Sequence, residues 1–350
     1  MHAWLDAIRG DLRRRQAEGL HRALRAVTPD GRFVERDGRR LVNLASNDYL
    51  ALSQHAHLRA AAKQAIDQFG VGAGASRLVT GHQALHAKVE ARFAQFKHAE
   101  AALLFPTGYM ANLALLTTVA QPGDLVCIDK LVHASLIDAA RASGATVRVF
   151  PHLNYDKLER LLKRGNRESG VANREEIQER AGGPIARPES RIANREPRSF
   201  LVTDSVFSMD GDVADLPRLA DLAQRYNAIT VVDEAHATGV LGDTGAGLCE
   251  AQHMPDRIDI VISTASKALG GLGGVVTARR EVIDTLINFA RPFIYTTAVP
   301  PAQAATLDAA LDVVRDEPWR RQRVLELARR VATALGAATA RASRGGAALD

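Results

Sequence analysis

Six short apolar runs, LVCID (125–129), TVRVF (146–150), FLVTD (200–204), AITVVD (228–233), DIVIS (259–263) and GGVVTA (273–278), punctuate the sequence. They alternate with stretches of helical periodicity at 56–68, 83–97, 109–119, 133–142, 154–163, 216–226 and 280–290. Runs that are apolar at nearly every residue suit strands buried on both faces, and the helical stretches between them serve as crossovers. The alternation predicts an α/β fold, a mostly parallel sheet covered by helices. Ahead of it, Trp4, Ile8 and Leu12 recur at helical spacing, followed by the polar turn TPDGR and a hairpin-like stretch through RFVERDGRRLVNL.

One segment breaks the rhythm. Residues 164–198 are poor in aromatic and β-branched residues and repeat the tetrapeptide ANRE at 172–175 and 193–196. A helix-to-strand connection usually takes ~2–6 residues, so this stretch is expected to be a disordered insertion without a part in the chemistry.

The formal charge of +5 is concentrated outside the predicted sheet. Residues 1–40 hold ten Arg against six acids and residues 164–198 hold eight against six, which leaves the remainder at −1. A nucleic-acid binder carries its excess on the folded surface that binds, so this distribution speaks against nucleic acid. Apolar runs fall short of the ~18 residues that span a bilayer, and MHAWLDAIRGDLRRRQ lacks the layout of a signal peptide, so a cytoplasmic location is expected. Cys127 and Cys249 lie far apart without paired spacing and read as small buried fillers; no metal site is suggested.

Polar residues gather just beyond the carboxyl ends of the predicted strands. His133 follows LVCID, Ser205 and Ser208 follow FLVTD, Asp233 and His236 end AITVVDEAH, and Thr264 and Lys267 follow DIVIS. That edge of an open α/β sheet is where ligands bind. The DEAH string also occurs on the metal-binding strand of helicases, but such an ATPase needs a Lys followed by Ser or Thr in its phosphate loop. None of the lysines, at 63, 88, 97, 130, 157, 163 and 267, is so placed.

Lys267 stands in STASKALGGLGG without neighbouring charges, among small residues that leave room for a ligand. A lone amine, an acid and histidines suit pyridoxal 5'-phosphate, whose carbonyl condenses with a lysine and whose pyridine nitrogen wants a carboxylate. In FPTGYMANLALL, Gly108 opens a helix whose free N–H groups favour a phosphate.

The strings LASNDYLALSQH, GVGAGASRLVTGHQALH, LLFPTGYMANLALL, LVHASLIDAA, TDSVFSMDGDVADL, VVDEAHATGVLGDTGAG, SKALGGLGG and RPFIYTTAVPPAQ, in this order, resemble the α-oxoamine synthases. These are fold-type I pyridoxal phosphate transferases, which condense an amino acid with an acyl thioester and release CO2. GAGASRLVTG and SNDYLALS resemble the branch that joins L-alanine to a pimeloyl thioester, on coenzyme A or a carrier protein, in biotin synthesis. Branches that use glycine resemble the chain less.

The resemblance implies a role for each matching residue. Lys267 holds the cofactor and later takes the α-proton. Asp233 pairs with the pyridine nitrogen, His236 with the phenolic oxygen, and His133 stacks on the ring. Gly108 and Tyr109 line the phosphate site, Ser208 and Thr264 complete the polar contacts, and Thr296 or Thr297 reaches the phosphate of a neighbouring subunit in a homodimer with shared sites. Arg22, or alternatively His21, meets the acyl carboxylate, and Asn47 meets the amino-acid carboxylate.

Against the family pattern, Ser266 stands where glycine is expected before the lysine. Domains are expected at 1–45 (N-terminal arm), 46–300 (cofactor-binding domain) and 301–350, the start of a C-terminal domain that is largely missing. The family arginine for the amino-acid carboxylate lies in that domain, so weak alanine binding is expected. Two other classes compete: an aspartate-aminotransferase-like enzyme, which releases a keto acid without CO2, and an inactive remnant that serves only as a dimer partner.

Overall fold

The computed structural model describes residues 3–168, 196–254 and 256–344. Residues 169–195 of the expected insertion lie outside the described residues. Its first residues are helical, because the helix Tyr155–Glu168 runs beyond the predicted end at 163. Where the chain enters the sheet, Arg198 N donates to Asp124 Oδ1 at 2.9 Å.

Contacts divide the chain into residues 1–46 and 47–350. The first unit holds the helix Ala3–Ala17 and an antiparallel sheet of β1 (Thr28–Asp30), β2 (Phe33–Arg36) and β3 (Arg39–Val42). The hairpin expected in this region is present, with Arg40 lying over the Phe33 ring at 3.9 Å.

Among the described residues, the second unit is built on seven strands. These are β4 (Ala101–Phe105), β5 (Leu125–Asp129), β6 (Thr146–Phe150), β7 (Ser199–Asp204), β8 (Ala228–Asp233), β9 (Ile260–Thr264) and β10 (Gly274–Ala278), in the spatial order β4-β10-β9-β8-β7-β5-β6. Only β10 runs against its neighbours, so the sheet is mostly parallel and helix-covered, as the alternation predicts. β4 is the strand that the periodicity does not reveal: AALLF contains no β-branched residue and reads equally well as helix, yet all five residues are buried.

Local chemistry sets the element ends. Asp215 caps the helix Leu216–Tyr226 by accepting from Arg218 N, and Asn227 closes it in the left-handed region at φ 49°. Cys127 and Cys249 are both buried, and burial pushes the Cys127 thiol up to about 12, which fits inert packing.

The connections leave β5 and β7 toward opposite edges of the sheet, which opens a crevice at their carboxyl ends. Residues 301–316, expected to open a further domain, form a helix packed on Ala56–Phe69 and Ala84–Phe96. Lys88 and Arg92 reach Asp308 across this contact at 2.8 and 2.5 Å. Among the described residues, large apolar side chains exposed at this end are Trp319, Leu327, Val331 and Leu335 of the following helix.

Candidate active site

Lys267 follows β9 on a turn held tightly to the segment 50–53. Gly270, at φ 65°, makes this approach possible, since a Cβ there would lie 2.5 Å from Ser53 N. The turn places Lys267 Nζ 2.9 Å from His236 Nε2. His236 Nδ1 lies 2.7 Å from Tyr49 Oη, and Tyr49 Oη donates to Asn47 Oδ1 at 3.3 Å. Burial lowers the Lys267 amine, an effect that Asp233 and Asp204 oppose. Burial and the Lys267 charge drop His236 to about 4. The imidazole is therefore neutral at pH 7 and can accept from the ammonium.

Asp233 ends β8, in register with Asp204 of β7. Its Oδ1 accepts from Ala235 N and its Oδ2 from Asn112 Nδ2, each at 2.9 Å. Asn112 also donates to Ser135 Oγ at 2.8 Å, and that hydroxyl is 2.7 Å from His133 Nδ1. One network thus joins the acid to the exposed imidazole of His133. Asp204 is buried and receives the His133 backbone N–H at 3.1 Å. Burial, reinforced by the charge of Asp233, raises the Asp204 carboxyl well above the usual range.

The helix Gly108–Val119 points its N-terminus at the same edge. Thr107 caps it by accepting from Met110 N at 3.1 Å, leaving other first-turn N–H groups for an anion. The chain can pass here because β10 begins with Gly274, where a Cβ would fall 2.5 Å from Thr107 O. Thr264 Oγ1 bonds Gly273 O at 2.9 Å and Ser266 Oγ at 2.8 Å, so Ser266 braces the turn before the lysine. Tyr109 is exposed and donates to Asp138 Oδ2 at 2.9 Å. Ser208 is exposed on the turn after β7, whereas Ser205 is buried and bonds Asp233 O at 3.1 Å. Thr297 pairs with Ser76 in an isolated bridge beside Thr296. Arg22 and His21 are exposed in the first unit.

Four supports escape the sequence reading: Tyr49, Asn112, Asp204 and the buried pair Lys97–Glu234. Asp204 carried a signal, an acid ending a predicted strand beside another such strand. Asn112 stands one helical turn beyond Gly108 and so faces the same edge. Lys97 carried none, since only the folded chain brings it to Glu234, Thr238 Oγ1 and Ala246 O.

The donor set fits pyridoxal phosphate on this chain's own geometry: a desolvated amine, a carboxylate fixed by Asn112, a neutral imidazole and a free helix N-terminus. Among the described residues the buried Asn112 Oδ1 has no hydrogen-bond partner, which leaves an acceptor within the site.

Residues 39–347 match the aminotransferase class I and II family. The chain is 42% identical over 313 residues to an 8-amino-7-oxononanoate synthase of Geobacter sulfurreducens, covering 89% of this chain and 73% of that protein. It is 44% identical over 320 residues to the enzyme of the same name from Maricaulis maris, covering 91% and 74%. The chain belongs to the 8-amino-7-oxononanoate synthase family. The fold agrees with solved structures of this family and its neighbours. An 8-amino-7-oxononanoate synthase from Francisella tularensis superposes with TM-score 0.62 at 29% identity, over 80% of this chain and 70% of that one. A serine palmitoyltransferase from S. paucimobilis with bound PLP and myriocin gives TM-score 0.77 at 26% identity, over 92% and 74%. The chain thus spans about three quarters of the length of these relatives. Like the 8-amino-7-oxononanoate synthases, it is a fold-type I transferase; neither the glycine-using reading nor the inactive remnant is favoured.

Proposed function

We propose that the chain condenses L-alanine with a pimeloyl thioester, on coenzyme A or a carrier protein, to give 8-amino-7-oxononanoate, CO2 and the free thiol. The contact between Lys267 and His236 carries this reading, because it sets a neutral acceptor beside a desolvated amine at a strand carboxyl end. Bound at this edge, pyridoxal phosphate supplies an electron sink for the bonds at the alanine α-carbon.

The residues then divide the work. Lys267 would anchor the cofactor and would take the α-proton at Nζ. Asp233, fixed by Asn112 and Ala235 N, holds the proton on the pyridine nitrogen. His236, which lies 2.9 Å from the Lys267 amine, would hold the phenolic oxygen. His133 covers the ring, with its orientation set by Ser135 and by the backbone bond to Asp204. The first turn of Gly108–Val119 receives the phosphate, with Tyr109, Ser208 and Thr264 around it. Asn47 meets the alanine carboxylate, and Arg22 or His21 the far carboxylate of the acyl donor. A carbon–carbon bond forms between the alanine α-carbon and the thioester carbonyl as the C–S bond breaks and the thiolate takes a proton; the alanine carboxylate leaves as CO2, and a proton takes its place on the α-carbon.

A homodimer belongs to the same reading. Val71, Leu78, Val79 and Tyr295 are exposed apolar side chains on two segments tied together by the Ser76–Thr297 bridge and by Ala298 N donating to Ala75 O. A second copy covers such a patch and brings Thr296 or Thr297 to the neighbouring phosphate. A cytoplasmic location goes with this reading. Mass spectrometry of the product from L-alanine and pimeloyl-coenzyme A tests it. The expected mass is that of 8-amino-7-oxononanoate, absent with Lys267→Ala; pyruvate as the only product overturns it.

A further inference from the structure

His152 lies outside the residues assigned above, yet it spans the crevice between the carboxyl ends of β5 and β7. Its Nδ1 is 3.0 Å from Asp129 Oδ1 and its Nε2 is 3.0 Å from Asp212 Oδ2. Asp129 is the last residue of β5. It is buried and also receives Leu131 N at 2.9 Å and Leu153 N at 2.8 Å, so it shapes the turn that delivers His133. Asp212 belongs to the turn that carries Ser208. That turn is closed by Phe207 N to Asp212 O at 2.9 Å, Gly211 N to Phe207 O at 3.0 Å and Ala214 N to Ser205 O at 2.9 Å. The Phe207 ring stands edge-on to the imidazole, with centroids 4.3 Å apart.

We propose that His152 is a positioning residue: doubly bonded between Asp129 and Asp212, it locks the Ser208 turn to the strand end that presents His133. The functional meaning of the lock rests on the cofactor reading of Ser208 and His133. The lock itself is a property of the chain.

Both bonds require the imidazolium, because two carboxylates must each receive an N–H and neutral imidazole has only one. Among the described residues, the charged groups that act on the ring are Asp129 from β5 and Asp212 from the turn; Tyr155, from the helix that follows, also senses Asp129. Tyr155 receives Asp215 N at 2.8 Å, lies under Arg218 and is pushed up to about 12, so it stays neutral. Burial pulls the His152 value down, but the bonds and charges of Asp129 and Asp212 outweigh it and raise it overall. A raised value means that the lock is complete below the ordinary histidine value and opens as pH rises through the raised one. Asp129 keeps its two backbone donors in either state, so the bond that yields is the one to Asp212, whose side chain is 47% exposed.

The test is hydrogen exchange by mass spectrometry on the cofactor-loaded protein, reading protection at Phe207, Gly211 and Ala214 after correction for the intrinsic rate. In the parent, protection is expected to fall by roughly threefold to tenfold between about pH 6 and pH 9, the range for losing one hydrogen bond to a half-exposed side chain. In Asp212→Asn and His152→Gln it is expected to be low and flat across that range. Asp212→Asn alters a half-exposed side chain and so reports even where His152→Gln does not fold. Protection that is flat in the parent, or equal in parent and Asp212→Asn at pH 6, overturns the proposal. Ser208→Ala tests the cofactor reading separately through cofactor affinity, and is expected to leave Phe207 and Gly211 as protected as in the parent.

Discussion

Lys267 Nζ and His236 Nε2 stand 2.9 Å apart, and the far nitrogen of the same ring is 2.7 Å from Tyr49 Oη. The amine, the imidazole and the phenol therefore form one chain, whose central imidazole is neutral at pH 7. Tyr49→Phe removes the group that fixes the ring from behind. It is expected to weaken cofactor binding by about tenfold, the loss of one buried hydrogen bond, as measured by absorbance titration with pyridoxal phosphate.

His236 makes stability depend on pH in a defined direction. Its folded value of about 4 lies below the ordinary 6.5, so between these limits the unfolded chain binds a proton that the folded chain does not. The stability it contributes is complete above pH 6.5 and is lost as pH falls toward 4. The urea midpoint of the cofactor-free parent is expected to fall relative to that of His236→Phe as pH drops from 7 to 4.5; a difference independent of pH contradicts it.

Asn112 holds Asp233 and Ser135 from a buried position. Asn112→Leu leaves a buried carboxylate oxygen without its donor, which costs on the order of 1–3 kcal/mol. The expected outcome is a lower urea midpoint together with a fall in turnover larger than any rise in KM for alanine, since Asp233 acts on the bound ring. Asp233→Asn is expected to retain the cofactor and to lose at least about a hundredfold in turnover, because charge stabilisation in the transition state is withdrawn.

Lys97 and Glu234 form a buried ion pair directly behind Asp233 and His236, and Glu234 Oε1 also receives Cys249 N at 2.7 Å. Removing one partner strands the other charge. Lys97→Met is expected to destabilise the protein by about 3–5 kcal/mol, whereas Lys97→Met combined with Glu234→Gln recovers part of that loss in the same denaturation assay.

The strand-end residues were legible because parallel strands need apolar runs, and Lys267, Asp233, His236 and His133 stand immediately after such runs. The sheet's order was not legible, since pairing β4 with β10 and reversing β10 depend on contacts between distant segments. β4 itself escaped because Ala and Leu carry no strand signature. Lys97 and His152 escaped for a shared reason: each meets its partners only across the folded sheet, 137 residues away for Glu234 and 60 for Asp212. Tyr109 illustrates the opposite case. Its place beside the helix N-terminus followed from the sequence, but its bond to Asp138 did not.

The central claim, that Lys267 serves a condensation coupled to decarboxylation, is tested most directly with L-alanine labelled in its carboxyl carbon. Given the cofactor and pimeloyl-coenzyme A, the parent protein is expected to release labelled CO2 in step with free thiol, above the Lys267→Ala control, and to release none when the thioester is left out. Label that stays in pyruvate, with or without the thioester, would contradict the account.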